Sequence, residues 1–291
     1  MEIKINGKPA DITLENEKTV GEVLSGVYQW LEGSGFSLSG LEIDGKNYGS
    51  LTLDTALELP IEGLSVIDIK TSGWADLLLE ALTGIRGDLG LYEKANKEDR
   101  ELFAGRWPGS APALFLQEHE NDLYKKFLTV IEDPSSSSLQ LNLAAVTALV
   151  SERIREIESP IEEMKLTRLL AEEIAKKLED LPLDMQTGKD SKASETIALF
   201  STLVEKIFRL LFLFGYFNTD IESIEVSSMN DTGKLNLKEY IGEFSAALKE
   251  LISAFENRDT VLVGDLAEYE LAPRLRVICE ALSDTKPGVK P

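Results

Sequence analysis

The chain has one cysteine and one histidine in 291 residues. A single thiol forms no internal disulfide, which excludes the disulfide-stapled secreted scaffolds. One imidazole and one thiol do not complete a zinc tetrahedron without help from carboxylates. Basic side chains are scarce as well: 30 Lys and Arg against 51 Asp and Glu give 30 − 51 = −21. Phosphate backbones and anionic headgroups repel such a chain, so neither nucleic acid nor a membrane is an expected partner. Long apolar runs are missing too. The most apolar, Leu210 to Phe217, is far shorter than the roughly 20 residues of a bilayer span. The opening Met1-Glu2-Ile3-Lys4-Ile5 alternates polar and apolar side chains and has no apolar signal core. The expected compartment is the cytoplasm.

What is present falls into two grammars. Over residues 1–72 the pattern is that of strands. Ile3 and Ile5, then Ile12 and Leu14, recur at period two, with Asn6-Gly7 between them as a hairpin signal. Thr19 followed by Glu22 forms a capping box. Val20, Val23, Leu24, Val27, Trp30 and Leu31 then make one helix face, closed by Gly33-Ser34-Gly35. Leu41-Glu42-Ile43 leads to the turn Asp44-Gly45, and Leu64 to Lys70 is the last strand.

This order of hairpin, one helix opened by Thr19-Val20-Gly21-Glu22-Val23-Leu24, and later strands resembles a ubiquitin-like β-grasp domain. Leu53-Asp54-Thr55-Ala56-Leu57 is similar to the short turn before the last strand of that family. Family members that act as carriers or modifiers end in a free Gly-Gly carboxylate, whereas here Thr71-Ser72-Gly73-Trp74 runs on into more chain. The resemblance therefore implies a fused interaction module and not a carrier.

From Trp74 the apolar spacing becomes three and four. Leu77, Leu78, Ala81 and Leu82 predict a short helix before Gly84, with loop and short helix from there to Pro112. Ala113 to Ile131 is periodic again, and Asp133-Pro134-Ser135-Ser136-Ser137-Ser138 reads as a linker. Helical periods follow over 139–157, 161–181, 193–217, 237–255 and 261–282, with Pro160, Pro182 and the polar stretch 188–194 as helix ends. The expected fold is α+β: a β-grasp domain over 1–72, an all-α domain of five to seven helices over 73–285, and a frayed tail over 286–291.

Candidate sites are few. Read as a calcium loop, 228–239 offers Asn230, Thr232, Asn236 and Glu239, with Gly233 at the sharp turn. Ser228, however, stands where an Asp is wanted, so ligand charge is short. The competing reading makes 223–227 a strand, 230–233 a turn, and Asn236 with Glu239 a helix N-terminal box. The segment 193–217 is apolar around more than half its circumference, which makes it a core helix with Leu213, Tyr216 and Phe217 as a flank for a partner or second copy. Asp265, Glu268, Tyr269 and Glu270, near Arg274 and Arg276, offer a polar docking surface or, as the alternative, carboxylates for acid–base or metal chemistry. Pro273 among them predicts a kink. Cys279 falls on an apolar helix face, and His119 between Glu118 and Glu120 has no nucleophile nearby. Gly84-Ile85-Arg86-Gly87-Asp88-Leu89-Gly90 lacks the Lys-Ser/Thr of a phosphate loop, so no cofactor is expected. The expected function is that of a non-enzymatic intracellular interaction, adaptor or assembly protein, acting on protein partners or as a homodimer. A calcium-regulated protein or a carboxylate-dependent enzyme is the alternative.

Overall fold

The computed structural model describes residues 1–14, 16–34, 36–48, 52–134, 137–217, 221–227 and 233–285, without the side chains of 29, 30 and 32–34. The expected tail 286–291 and the side chain of Trp30 lie outside the described residues. The chain divides into two compact units, Met1–Val150 and Ser151–Pro291.

The first unit opens with a mixed five-stranded sheet. Its elements are β1 (Glu2–Ile5), β2 (Lys8–Pro9), α1 (Val20–Ser34), β3 (Phe36–Ile43), β4 (Lys46–Tyr48), α2 (Leu53–Leu57) and β5 (Val66–Gly73). The spatial order is β2-β1-β5-β3-β4, with β1 parallel to β5 and the other pairs antiparallel. Both two-residue turns take positive φ at both positions: 50° and 79° at Asn6-Gly7, 49° and 82° at Asp44-Gly45. That geometry matches the right-handed strand twist, and Asn-Gly and Asp-Gly adopt it at little cost. Each turn is also tied to β5. The Gly7 N–H donates to Asp68 Oδ1 at 2.9 Å, and the Val66 N–H donates to Asp44 Oδ1 at 2.8 Å. Thr19 opens α1 as a reciprocal box, with the Glu22 N–H on Thr19 Oγ1 and the Thr19 N–H on Glu22 Oε2, both at 3.3 Å.

Ile3, Val20, Val23, Leu24, Val27, Leu31, Leu41, Ile43, Ile67 and Ile69 belong to one buried cluster between sheet and helix. The alternate row across β1, β5 and β3 is charged, since Lys4 pairs in register with Asp68 and Asp68 with Glu42. Burial pushes the Asp68 carboxyl up, but the Lys70 ammonium and the Gly7 N–H outweigh it and hold the group below the ordinary carboxylate range.

One strand is shorter than the alternation predicts. The ladder on β1 ends just after Pro9, where the Ala10 N–H reaches Ile3 O at 2.9 Å and the Ile12 N–H then bonds Ala10 O at 3.0 Å. That tight turn lifts the chain off the sheet, and Ile12 and Leu14 pack onto the core as side chains only.

The rest of the first unit is helical, and residues 84–112, expected as loop and short helix, are mostly helix as well. α3 (Trp74–Lys94) runs through Gly84, Gly87 and Gly90, and α4 (Lys97–Arg106) follows after two residues. Burial of Leu78, Ala81, Leu82, Ile85, Leu89 and Tyr92 at three- and four-residue steps overrides the glycines. Arg100 closes α3, donating from Nε to Tyr92 O at 3.0 Å and from Nη2 to Glu93 O at 2.7 Å. The single period over 113–131 is two helices, α5 (Ala111–His119) and α6 (Asn121–Glu132), parted at Glu120 with φ −137° and ψ 53°. Trp107 is buried with its ring 4.1 Å from that of Phe127. α7 (Leu139–Glu158) contains the boundary between the units.

The second unit is built on α8 (Pro160–Gln186), α9 (Asp190–Tyr216), α10 (Leu237–Glu256), α11 (Thr260–Asp265) and α12 (Ala272–Ser283). A small antiparallel pair, β6 (Glu225–Ser227) and β7 (Lys234–Asn236), precedes α10. With these and the short helices, the described elements exceed the expected five to seven helices.

Two prolines behave differently from the simple rule. Pro182 sits inside α8 and ends nothing. Gly264 packs against it so closely that a Cβ there would lie 3.1 Å from Pro182 Cβ. Between α11 and α12 the helix widens into a π-turn over Leu266–Leu271, with the Ala272 N–H bonded to Ala267 O five residues back. The widening gives room for the Pro273 ring, which an α-turn would press against the carbonyl four residues earlier, so the helix passes Pro273 without a break.

Buried ion pairs tie these helices together. Arg209 donates from Nε and Nη2 to both oxygens of buried Glu156, each at 3.0 Å. Buried Glu163 accepts from Arg155 Nε at 2.8 Å and Lys206 Nζ at 3.0 Å. Arg276 joins α12 to α8 through Glu172 at 2.8 Å and Glu179. Cys279 is fully buried, and burial pushes its thiol up to about 12.

Candidate functional site

Side chains of α8, α9 and α10 line a groove of about 360 Å³ in the second unit. Its floor and one wall come from α9, where Ala193, Ser194, Ile197, Ala198 and Ser201 follow at helical steps. Phe255 of α10 and Leu181 and Met185 of α8 supply the rest. The small α9 residues leave the space, and Asp190 is the one charged side chain in the lining. Large apolar groups stay in water on the same helices: Ile252 is 58% exposed, Phe255 41% and Phe208 38%. Leaving such a side chain wet forgoes roughly 1.5–3 kcal/mol of burial; Ile252 and Phe255 lie three apart on α10, and Phe255 lines the groove itself.

α9 carries one buried apolar period and, on its outer side, a second period of mostly small or polar residues. Phe200, Leu203, Ile207, Leu210 and Phe214 form the buried one. Asp190, Ser194, Ile197, Ser201, Glu205 and Phe208 repeat at three or four residues on the other side, and all but half-buried Ile197 are exposed. The cations of α9 point elsewhere. Lys206 meets Glu152 and Glu163, Arg209 meets Glu156, and Lys192 lies 2.7 Å from the buried Asp184. The Lys192 and Lys189 ammoniums hold Asp184 below the ordinary carboxylate range.

The residues singled out in the sequence are placed as follows. Tyr216 is half-buried, Phe217 and Leu213 are buried, and the Tyr216 and Phe217 rings meet edge-on at 5.2 Å. That flank of α9 is therefore largely covered. Asp265 and Tyr269 are exposed, the latter at 59%, and Glu268 and Glu270 are half-buried. Glu268 accepts from the Tyr269 hydroxyl and raises its pKa. Glu270 is taken up by Arg274, whose guanidinium is buried and lies 3.6 Å from Glu243 through Nη2. Beside them Tyr240 is fully buried, and its hydroxyl has no hydrogen-bond partner among the described residues. Burial pushes that phenol up.

In the loop 228–239, Asn230 and Thr232 lie outside the described residues. Asn236 Oδ1 accepts the Glu239 N–H at 2.8 Å as the N-cap of α10, with exposed Glu239 in its first turn. No group of three or more His, Cys, Asp or Glu among the described residues is placed to hold a metal ion. No helix among the described residues is long and apolar enough to cross a membrane.

A second cleft, about 480 Å³, lies in the first unit between α1 and residues 10–14 and 17. Ile12 and Leu14 pack back onto the core there, so it reads as the gap left where the chain leaves the sheet. The groove on α9 is not evident in the sequence because one strong apolar face hides the small residues that leave space beside it. The signal was the run of small residues Ala193, Ser194, Ala198 and Ser201 around Ile197.

The class defined by these observations is an α+β chain with a small mixed sheet, a mostly helical remainder and an apolar groove on its helical unit. Residues 1–73 match the model of the TP0873 N-terminal domain, ending where β5 ends, and residues 162–281 match a domain of unknown function, DUF8042. All the groove-lining residues fall inside the second match. The chain is 24% identical over 290 residues to an uncharacterized protein of Treponema pallidum (strain Nichols), with 100% of each chain covered. No solved structure matches.

Proposed function

We propose that the chain is a non-enzymatic cytoplasmic protein-interaction or assembly protein, and that its helical unit docks a protein partner in the α9 groove. The observation that carries this reading is a groove of about 360 Å³ between α8, α9 and α10, with Phe255 41% exposed in its lining and Ile252 58% exposed three residues before it on α10. We read the N-terminal sheet as a ubiquitin-like β-grasp module. Its strand order, parallel β1–β5 pair and single long helix support that reading. Its charged outer row, Lys4, Asp68 and Glu42, argues against that face as an apolar docking surface.

The test is capture from a host lysate on immobilised wild-type chain, Ser201→Trp and Phe255→Ser, each checked for native circular dichroism. Ser201→Trp fills the groove and Phe255→Ser removes a wall. A protein retained by the wild type and lost by both variants is the expected result, and identical retention by all three overturns it. A second copy as the partner is tested by light scattering at high micromolar concentration, where a monomer removes it.

A further inference from the structure

We propose that the segment taken by the α9 groove is a basic amphipathic helix. This rests on the docking reading above and adds the chemistry of the occupant. The argument is one of charge segregation on a single helix. Every Lys and Arg of α9 is paired with a carboxylate off this stripe: Lys192 with Asp184, Lys206 with Glu152 and Glu163, Arg209 with Glu156. The carboxylates on the outward stripe, Asp190 in the groove lining and Glu205 one turn beyond Ser201, have no cation within ion-pair distance among the described residues. The α10 wall is mixed in sign, with Lys249, Glu250 and Glu256, and so is the α8 wall, with exposed Lys177 and Asp180, so α9 sets the balance.

The α9 wall is thus made of small residues around Ile197, with Asp190 at one end of the stripe and Glu205 one turn beyond the other. From Asp190 to Glu205 it runs about 22 Å at 1.5 Å per residue, the length of about four helical turns. A helix with an apolar stripe flanked by Lys or Arg meets both features, laying its stripe where the small residues leave room. An acidic helix, a second copy presenting this same stripe included, would set like charges against Asp190 and Glu205.

The probes are two fluorescein-labelled amphipathic peptides of about 14 residues with identical leucine spacing, one completed with lysine and the other with glutamate. Binding is read by anisotropy. The expected result is saturable binding of the Leu/Lys peptide that Ser201→Trp abolishes and Asp190→Asn with Glu205→Gln weakens by about fivefold, with the Leu/Glu peptide weaker still. Equal binding of the two peptides, both lost in Ser201→Trp, overturns the basic character and leaves the docking reading standing. Leu/Lys binding unchanged by Ser201→Trp is general attraction to an acidic chain and overturns the proposal, as does binding of neither peptide. In those cases lysate capture decides the docking reading separately.

Discussion

The Tyr240 hydroxyl is enclosed without a hydrogen-bond partner among the described residues. An unsatisfied buried polar group costs about 1–3 kcal/mol, so removing it should not destabilise the fold. Tyr240→Phe is expected to leave the urea midpoint unchanged or raise it; a fall of more than about 1 kcal/mol would show that the hydroxyl is bonded. Two glycines make an opposed pair at the same scale. Gly87 lies in α3 with open space where a Cβ would go, and Gly87→Ala is expected to stabilise by about 0.5–1 kcal/mol. Gly264→Ala puts a methyl against the Pro182 ring and is expected to destabilise. Thermal melts of the two variants check both signs. Sequence alone showed the residues whose roles are local: Asn6-Gly7, Asp44-Gly45, the Thr19–Glu22 box and the Asn236 cap all depend on neighbours within a few positions. It did not show that Glu156 and Glu163 are buried, because their partners Arg209 and Lys206 lie 53 and 43 residues away.

At the scale of elements, long helices with a clear apolar period were legible almost to their ends, as with α7 and α10. Errors came where packing overrode a breaker. Glycines in α3 and Pro182 in α8 signal helix ends only if nothing buries the flanking turns, and here both flanks are buried. The α9 groove was hidden for a related reason: a helix apolar nearly all round reads as core, and only neighbouring helices decide which stripe stays outside. The junction of α7, α8 and α9 depends on Glu163, whose burial is outweighed by Arg155 and Lys206 so that its pKa falls below the ordinary 4.5. Glu163→Gln leaves Lys206, which is largely buried, short of one counter-charge. The expected loss is about 3 kcal/mol in denaturant titration, and a loss below about 1 kcal/mol would mean that Glu152 alone satisfies Lys206.

For the whole molecule, acid is the telling variable. Glu163, Glu172 and Glu179 all have pKa values held below 4.5 in the folded chain, Glu172 and Glu179 chiefly by hydrogen bonds from Arg276. A depressed carboxylate adds stability that is full above its unfolded pKa and lost as pH falls through the folded one. Stability should therefore hold above about pH 5 and decline steeply below pH 4.5, and thermal melts across that range test it. Arg276→Gln should flatten part of the decline, since it frees Glu172 and Glu179 at once. Burial of the lone thiol has a practical consequence. Cys279 will ignore maleimide while the last helix is in place, so a cysteine introduced at a solvated position such as Leu91 gives a single-site dye label. Slow modification of the native thiol itself then becomes a clock for the opening of α12.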